Sequence, residues 1–348
     1  NIGILTQVPV LEDLTMDIYK PDGDDATNRS VIILLHTGNF LPPIINGQPT
    51  GDKSDNVLVE LCTRFAKKGY VAVSVNYRLG WNPNSTDPEV RESTFVQAFY
   101  RAQQDARTAV RFLKKTVVED GNPYGIGDKF AVGGEGTGGY IALALSALDK
   151  NEEILLQKFK DTSDSPYINE AILGNLGGSS YGYGTITDNN GNLIPFCVPN
   201  HVGYSHDIDM VFNFGGGILE TSWIEVGEVP IASFQNMYDS VLNVNTITVN
   251  NNPIIEAYGS IPVISRATEL GNNDCFAGLS TTLVDTWNNN GNGADNANAA
   301  GQEDMPGLFI LVAPHPLFVG IIGFNEAPWQ WWDNTQYEIT ITVLQLEP

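Results

Sequence analysis

The chain has 348 residues, with 18 Lys plus Arg against 41 Asp plus Glu and a formal charge of −23 at pH 7. So acidic a surface repels nucleic acid and anionic lipid, which removes both from the expected partners. The 42% hydrophobic fraction is enough for a large core, and no apolar run reaches the roughly 18 residues that read as a membrane span.

Leu14–Tyr19 (LTMDIY) alternates and stops before Pro21, as a strand does. Asp22–Asn28 is a polar turn, and Val31–Leu35 (VIILL) is the continuous apolar run of a central strand covered on both faces. Val57–Lys68 carries apolar residues at helical spacing and ends at Gly69, a C-terminal stop. Tyr70–Tyr77 is again β-rich. Thr94–Val118 predicts a long amphipathic helix with Ala102, Ala106, Ala109, Val110, Leu113 and Val117 on its inner stripe. Phe130–Gly133 predicts a strand, and Tyr140–Leu148 predicts a helix after a Gly-rich turn. This βα alternation predicts an α/β fold, a mostly parallel central sheet with helices on both faces. A single domain over residues 1–348, carrying insertions, suits the length.

Beyond Asp161 the texture loosens. Residues 162–228 read as a loop-rich insertion, with a hairpin turn at Asn189-Asn190-Gly191-Asn192. Pro230–Phe234 predicts a buried strand and Ile261–Leu270 a helix. Residues 288–304 form a low-complexity loop, and Tyr337–Leu346 fits strand or helix. Cys62 lies on a helical inner face, which leaves Cys197 and Cys275 either as a pair or as free thiols. His201 and His206 near Asp207 and Asp209 have no recognised ligand spacing, so no metal or cofactor is expected. Trp329, Trp331 and Trp332 suit either core packing or a surface for a partner or carbohydrate. The lack of Met at position 1 is read as a leader removed or never included.

Gly134-Glu135-Gly136-Thr137-Gly138-Gly139 separates the predicted strand from its helix. Strand, Gly-rich turn and helix is the context of a nucleophile elbow, whose middle residue carries the attacking oxygen. Here that residue is Gly136, which has no side chain. Thr137 is not expected to attack in its place, and Glu135 reads as a structural hydrogen-bonding residue, not a catalytic base.

Five segments in order resemble the α/β-hydrolase carboxylesterase/lipase family. LTMDIYKP resembles its opening strand, and His36-Thr37-Gly38-Asn39-Phe40 resembles its H-G-G-G-F oxyanion loop. VAVSVNYRLG (Val71–Gly80), QDARTAVRFLKK (Gln104–Lys115) and GGEGTGG resemble the strand and turn, the helix and the elbow that follow. The resemblance implies an α/β-hydrolase fold with Gly136 at the nucleophile position. It also implies an oxyanion-like loop of His36, Thr37, Gly38 and Asn39, completed by the backbone of Thr137. VPIASFQNMYDSVL (Val229–Leu242) resembles the acid segment and puts Asp239 at the acid position, with Gln235 and Asn236 in place of the family's His-Gly. Two matches are open for the base. His315 follows the apolar run Leu308–Val312, or else Phe324-Asn325-Glu326-Ala327-Pro328-Trp329 marks the place, and the histidine is absent.

Triad chemistry requires a nucleophile, a base that reaches it and an acid that orients the base. Loss of the serine alone costs on the order of 10⁶ in kcat. The expectation is therefore a catalytically inactive esterase-like protein, secreted or cell-surface. It would act by binding a protein partner or by self-assembly. The alternatives are an active carboxylic-ester hydrolase with a non-standard nucleophile, or a small-molecule or glycan binder using the vestigial pocket.

Overall fold

The computed structural model describes residues 13–46, 50–187, 190–236, 244–249, 252–277 and 305–311. In chain order these form β1 (Met16–Tyr19), β2 (Arg29–Leu35), the short α1 (Pro43–Asn46), α2 (Asn56–Lys67), β3 (Val71–Val75) and α3 (Pro88–Val118). Then come β4 (Ile126–Glu135), α4 (Thr137–Ala147), α5 (Glu170–Leu173), and the hairpin of β5 (Gly182–Thr187) and β6 (Leu193–Cys197). The rest are β7 (Met210–Phe214), β8 (Ile231–Asn236), a second hairpin of β9 (Val244–Val249) and β10 (Asn252–Tyr258), α6 (Ser260–Glu269) and β11 (Leu308–Leu311).

Seven of these strands form one sheet in the order β1-β3-β2-β4-β7-β8-β11. Only the β1–β3 pair is antiparallel; every other neighbour runs parallel. Alternate residues of β2 explain its uniform apolarity. Val31, Ile33 and Leu35 pack in one core with Ala106 and Val110 of α3 and Ile141 of α4. Ile32 and Leu34 pack in the other with Val57, Leu58 and Cys62 of α2. Helices thus cover both faces, as the sequence predicts.

Several boundaries differ from the predicted ones for local reasons. Helix α3 begins at Pro88, before the amphipathic stripe, because the Asp87 side chain accepts from Glu89 N and Pro88 suits a first helical position. The stretch 162–228 contains β7, which lies in the central sheet between β4 and β8. Its residues MVFNF are short and sit inside Gly- and Asn-rich sequence, which hides them. The β5–β6 hairpin spans the predicted turn, of which Asn189 lies outside the described residues. The β9–β10 hairpin was not anticipated.

Of the two alternatives left open for Cys197 and Cys275, the structure has free thiols: all three cysteines are free, with Cys62 and Cys197 buried and Cys275 exposed. Cys197 faces inward on β6, against Gly174, while Cys275 sits on the surface. Residues 288–304, the three tryptophans and Tyr337–Leu346 lie outside the described residues. Among the described residues, no group of His, Cys, Asp or Glu is placed to hold a metal ion. No helix there is long and apolar enough to cross a membrane.

Candidate functional site

Strands β2 and β4 are parallel neighbours with Leu35 opposite Gly134. The chain leaves both strands at the same end of the sheet, so His36-Thr37 and Glu135-Gly136 emerge side by side. This is the end at which parallel α/β sheets place their sites.

Gly136 is the tip of the turn and the N-cap of α4, with φ 51° and ψ −116°. Its N–H donates to Phe214 O at 2.9 Å, and its carbonyl accepts the first helical bond from Tyr140 N at 3.2 Å. At positive φ with this ψ a side chain is strained, whereas glycine is not. Helix α4 lies close against the end of β2. A β-carbon on Gly138 would stand 2.6 Å from the carbonyl carbon of Leu35 and 2.7 Å from His36 O. Only glycine permits that approach.

The oxyanion-like loop is tightly turned, with Asn39 at φ 56° and Phe40 at φ 54°. Such conformations persist only where the surroundings fix them, and here they do. Gly80 N donates to Phe40 O at 2.7 Å, and Trp81 Nε1 donates to Asn39 O at 2.7 Å. Asn46 Nδ2 donates to Thr50 O at 2.7 Å, and Asp55 accepts from Gly51 N at 2.9 Å. Phe40 is buried edge-on to Tyr77, Phe95 and Phe99.

His36 is fully buried and stacks on Tyr77, with ring centroids 4.2 Å apart. Burial pushes its pKa down to about 4, against smaller opposing effects of the Thr37 carbonyl and of Asp52. The ring is therefore neutral near pH 7. Its Nδ1 lies 2.6 Å from Thr37 O, and a carbonyl oxygen only accepts, so Nδ1 carries the proton. Tyr77 OH donates to His36 O at 2.8 Å. These bonds hold the backbone of residues 36 and 37, and they give His36 a bracing role.

Beneath α4 lies a buried polar group that the sequence reading did not single out. Asn213 Oδ1 accepts from Gly216 N at 2.8 Å, and Ser260 Oγ donates to Gln235 Oε1 at 2.7 Å. Asn213 Nδ2 reaches Ser260 Oγ at 3.4 Å and joins the two. The available signal was a lone asparagine inside an otherwise apolar strand, since such a residue must find partners when buried. Asp239 and His315 lie outside the described residues. The chain leaves β8 at Asn236 and β11 at Leu311, paired with each other in the sheet.

The side chain nearest the elbow tip belongs to the facing loop. A β-carbon on Gly136 would meet Thr37 Oγ1 at 2.2 Å and Thr37 Cβ at 3.1 Å. The hydroxyl beside the tip thus comes from the facing loop and not from the turn itself.

Residues 16–178 match the BD-FAE family model. The match runs from the opening strand through the elbow and α5, and it ends before the β5–β6 hairpin. The mostly parallel sheet with helices on both faces is the expected α/β arrangement, and over the matched residues the likeness is to BD-FAE. Among solved structures, the thermophilic esterase Est2 of the planctomycete Thermogutta terrifontis with propionate bound is 16% identical. Its TM-score is 0.42, over 100% of this chain and 94% of that one. The native form gives 16% and 0.41 over 98% and 90%. The form phosphorylated by paraoxon gives 16% and 0.42 over 97% and 92%. No curated protein matches the chain.

Proposed function

We propose that this is a catalytically silent esterase-like protein, exported from the cell, that works by binding a protein partner or by assembling with itself. The observation that carries the reading is the absence of any attacking atom on Gly136, together with a Thr37 side chain set against it. A serine hydrolase forms its acyl-enzyme at the elbow oxygen, and residue 136 offers none. The acidic surface and the Asn- and Gly-rich loops support a role outside the cell. Exposure to a fluorophosphonate probe followed by intact-mass and peptide mass spectrometry tests silence, and the expected result is no adduct. Light scattering tests assembly, and a strictly monomeric particle that binds no protein partner would sink that part.

A second reading is favoured by one observation, the hydroxyl of Thr37 standing beside the elbow tip. On that reading the chain is an active carboxylic-ester hydrolase with Thr37 as its nucleophile. The same experiment separates the two, because an adduct on Thr37 belongs only to the second.

A further inference from the structure

The space above Gly136 can hold one side chain, and Thr37 supplies it. A β-carbon on residue 136 would stand 2.2 Å from Thr37 Oγ1, whereas real β-carbons keep beyond 3.0 Å. A serine would add an oxygen one bond further out to a β-carbon that already stands too close to Thr37. The loop carrying Thr37 cannot swing aside cheaply, since bonds from Gly80 N and Trp81 Nε1 fix its turn. Rotation about the Cα–Cβ bond of Thr37 helps in one rotamer only. The β-carbon bears a hydroxyl, a methyl and a hydrogen, and only the hydrogen leaves room.

We propose that residue 37 decides what the elbow accepts. With threonine there, its hydroxyl stands where a nucleophile's oxygen would be and closes that end of the site. A ligand that reaches the elbow stops at Thr37 Oγ1 and forms no bond to residue 136. The closure is reciprocal: a side chain at 136 and a branched side chain at 37 compete for the space, and both fit only in the one rotamer that turns the hydrogen of residue 37 to the tip. This inference rests on the silent-site reading and deepens it, but its test reads packing, so the two can fail separately.

The test places Gly136→Ala in three backgrounds: Thr37, Thr37→Val and Thr37→Ala. Backbone strain at residue 136 is common to all three and cancels in the comparison. Valine keeps the branched shape without the hydroxyl, and alanine removes both branches. Gly136→Ala is expected to lower Tm equally beside threonine and valine, and the loss should shrink by at least about 2 °C beside alanine. An equal loss in all three backgrounds overturns the proposal.

A second readout survives poor stability. Gly136→Cys is made with Cys275→Ser, which removes the exposed thiol and leaves Cys62 and Cys197 buried. Its modification by methyl methanethiosulfonate should be on the order of tenfold faster with Thr37→Ala than with Thr37, because thiol reactivity follows access. Equal rates, or a fluorophosphonate adduct on Thr37 of the unaltered protein, would show that the hydroxyl does not close the site.

Discussion

Thr37 and Gly136 share one volume. They are far apart in sequence, yet β2 and β4 run parallel with Leu35 opposite Gly134, so the residues just beyond those strands meet. Taken alone, Gly136 invites the simplest repair, a serine at the tip. With Thr37 in its present rotamer that repair meets a side chain already in the space. Gly136→Ser by itself is expected to stay unlabelled by a fluorophosphonate. It should also lose about 1–3 kcal/mol of stability from strained backbone at positive φ, measured by urea unfolding. A labelled, fully stable single variant would mean that the loop yields freely.

Gly138 makes a different kind of demand. The atoms its β-carbon would meet are the backbone carbonyls of Leu35 and His36, which no rotamer change can move. Gly138→Ala should therefore cost about 3 kcal/mol or more, at the upper end of overpacking effects, seen as a lower denaturation midpoint with an unchanged slope. A loss below about 1 kcal/mol would show that α4 can ride away from the end of β2.

The turn after β3 is fixed to α3 by a buried ion pair. Arg78 Nε donates to both carboxylate oxygens of Asp105 at 2.9 Å, and Asp105 also accepts from Arg78 N at 2.8 Å. The side chains are 12% and 6% exposed. Asp105→Ala leaves a guanidinium buried without its counter-ion and should cost about 3–5 kcal/mol. Adding Arg78→Met should recover much of that loss in chemical denaturation. No recovery would place the effect in the backbone bond to Arg78 N.

His36 and Glu228 should give the pH profile slopes of opposite sign. His36 has its folded pKa lowered to about 4 by burial, against about 6.5 when unfolded. The unfolded chain therefore binds the proton first, and stability falls as pH drops from about 6.5 towards 4, by on the order of 3 kcal/mol. Above that window His36 contributes no slope. His36→Asn keeps a donor for Thr37 O and should flatten the acid limb of a urea-stability profile. Glu228 has the opposite sign. Burial, then the nearby Asp149, Glu153 and Glu225, raise it to about 8. The stability it contributes is present below pH 4.5 and is lost progressively as pH rises from about 4.5 through 8, with no slope beyond, so Glu228→Gln should flatten the decline across that window. If neither variant changes its limb, other groups govern the profile.

Much of this was legible without coordinates. The apolar run of β2, the stripe of α3 and the Gly-rich turn before α4 each carry their own periodic signal, and each became the expected element. The outer parts were harder. Strand β7 offers five residues in a Gly- and Asn-rich context, too few to show a period. The six extra residues at the start of α3 depended on a cap rather than on a stripe. The pairing of Cys197 and Cys275 could not be settled by counting, because pairing depends on which way each side chain faces.

The amino-acid order by itself determined the alternation of strands and helices and the missing side chain at 136, because both are properties of a few adjacent residues. The tertiary structure alone decided what stands beside that gap. Parallel pairing of β2 with β4 sets which loop faces the elbow, and such pairing is a long-range choice with no mark in either segment. The hydroxyl of Thr37 thus reads in sequence as a departure from glycine, and in space as the group that fills the tip.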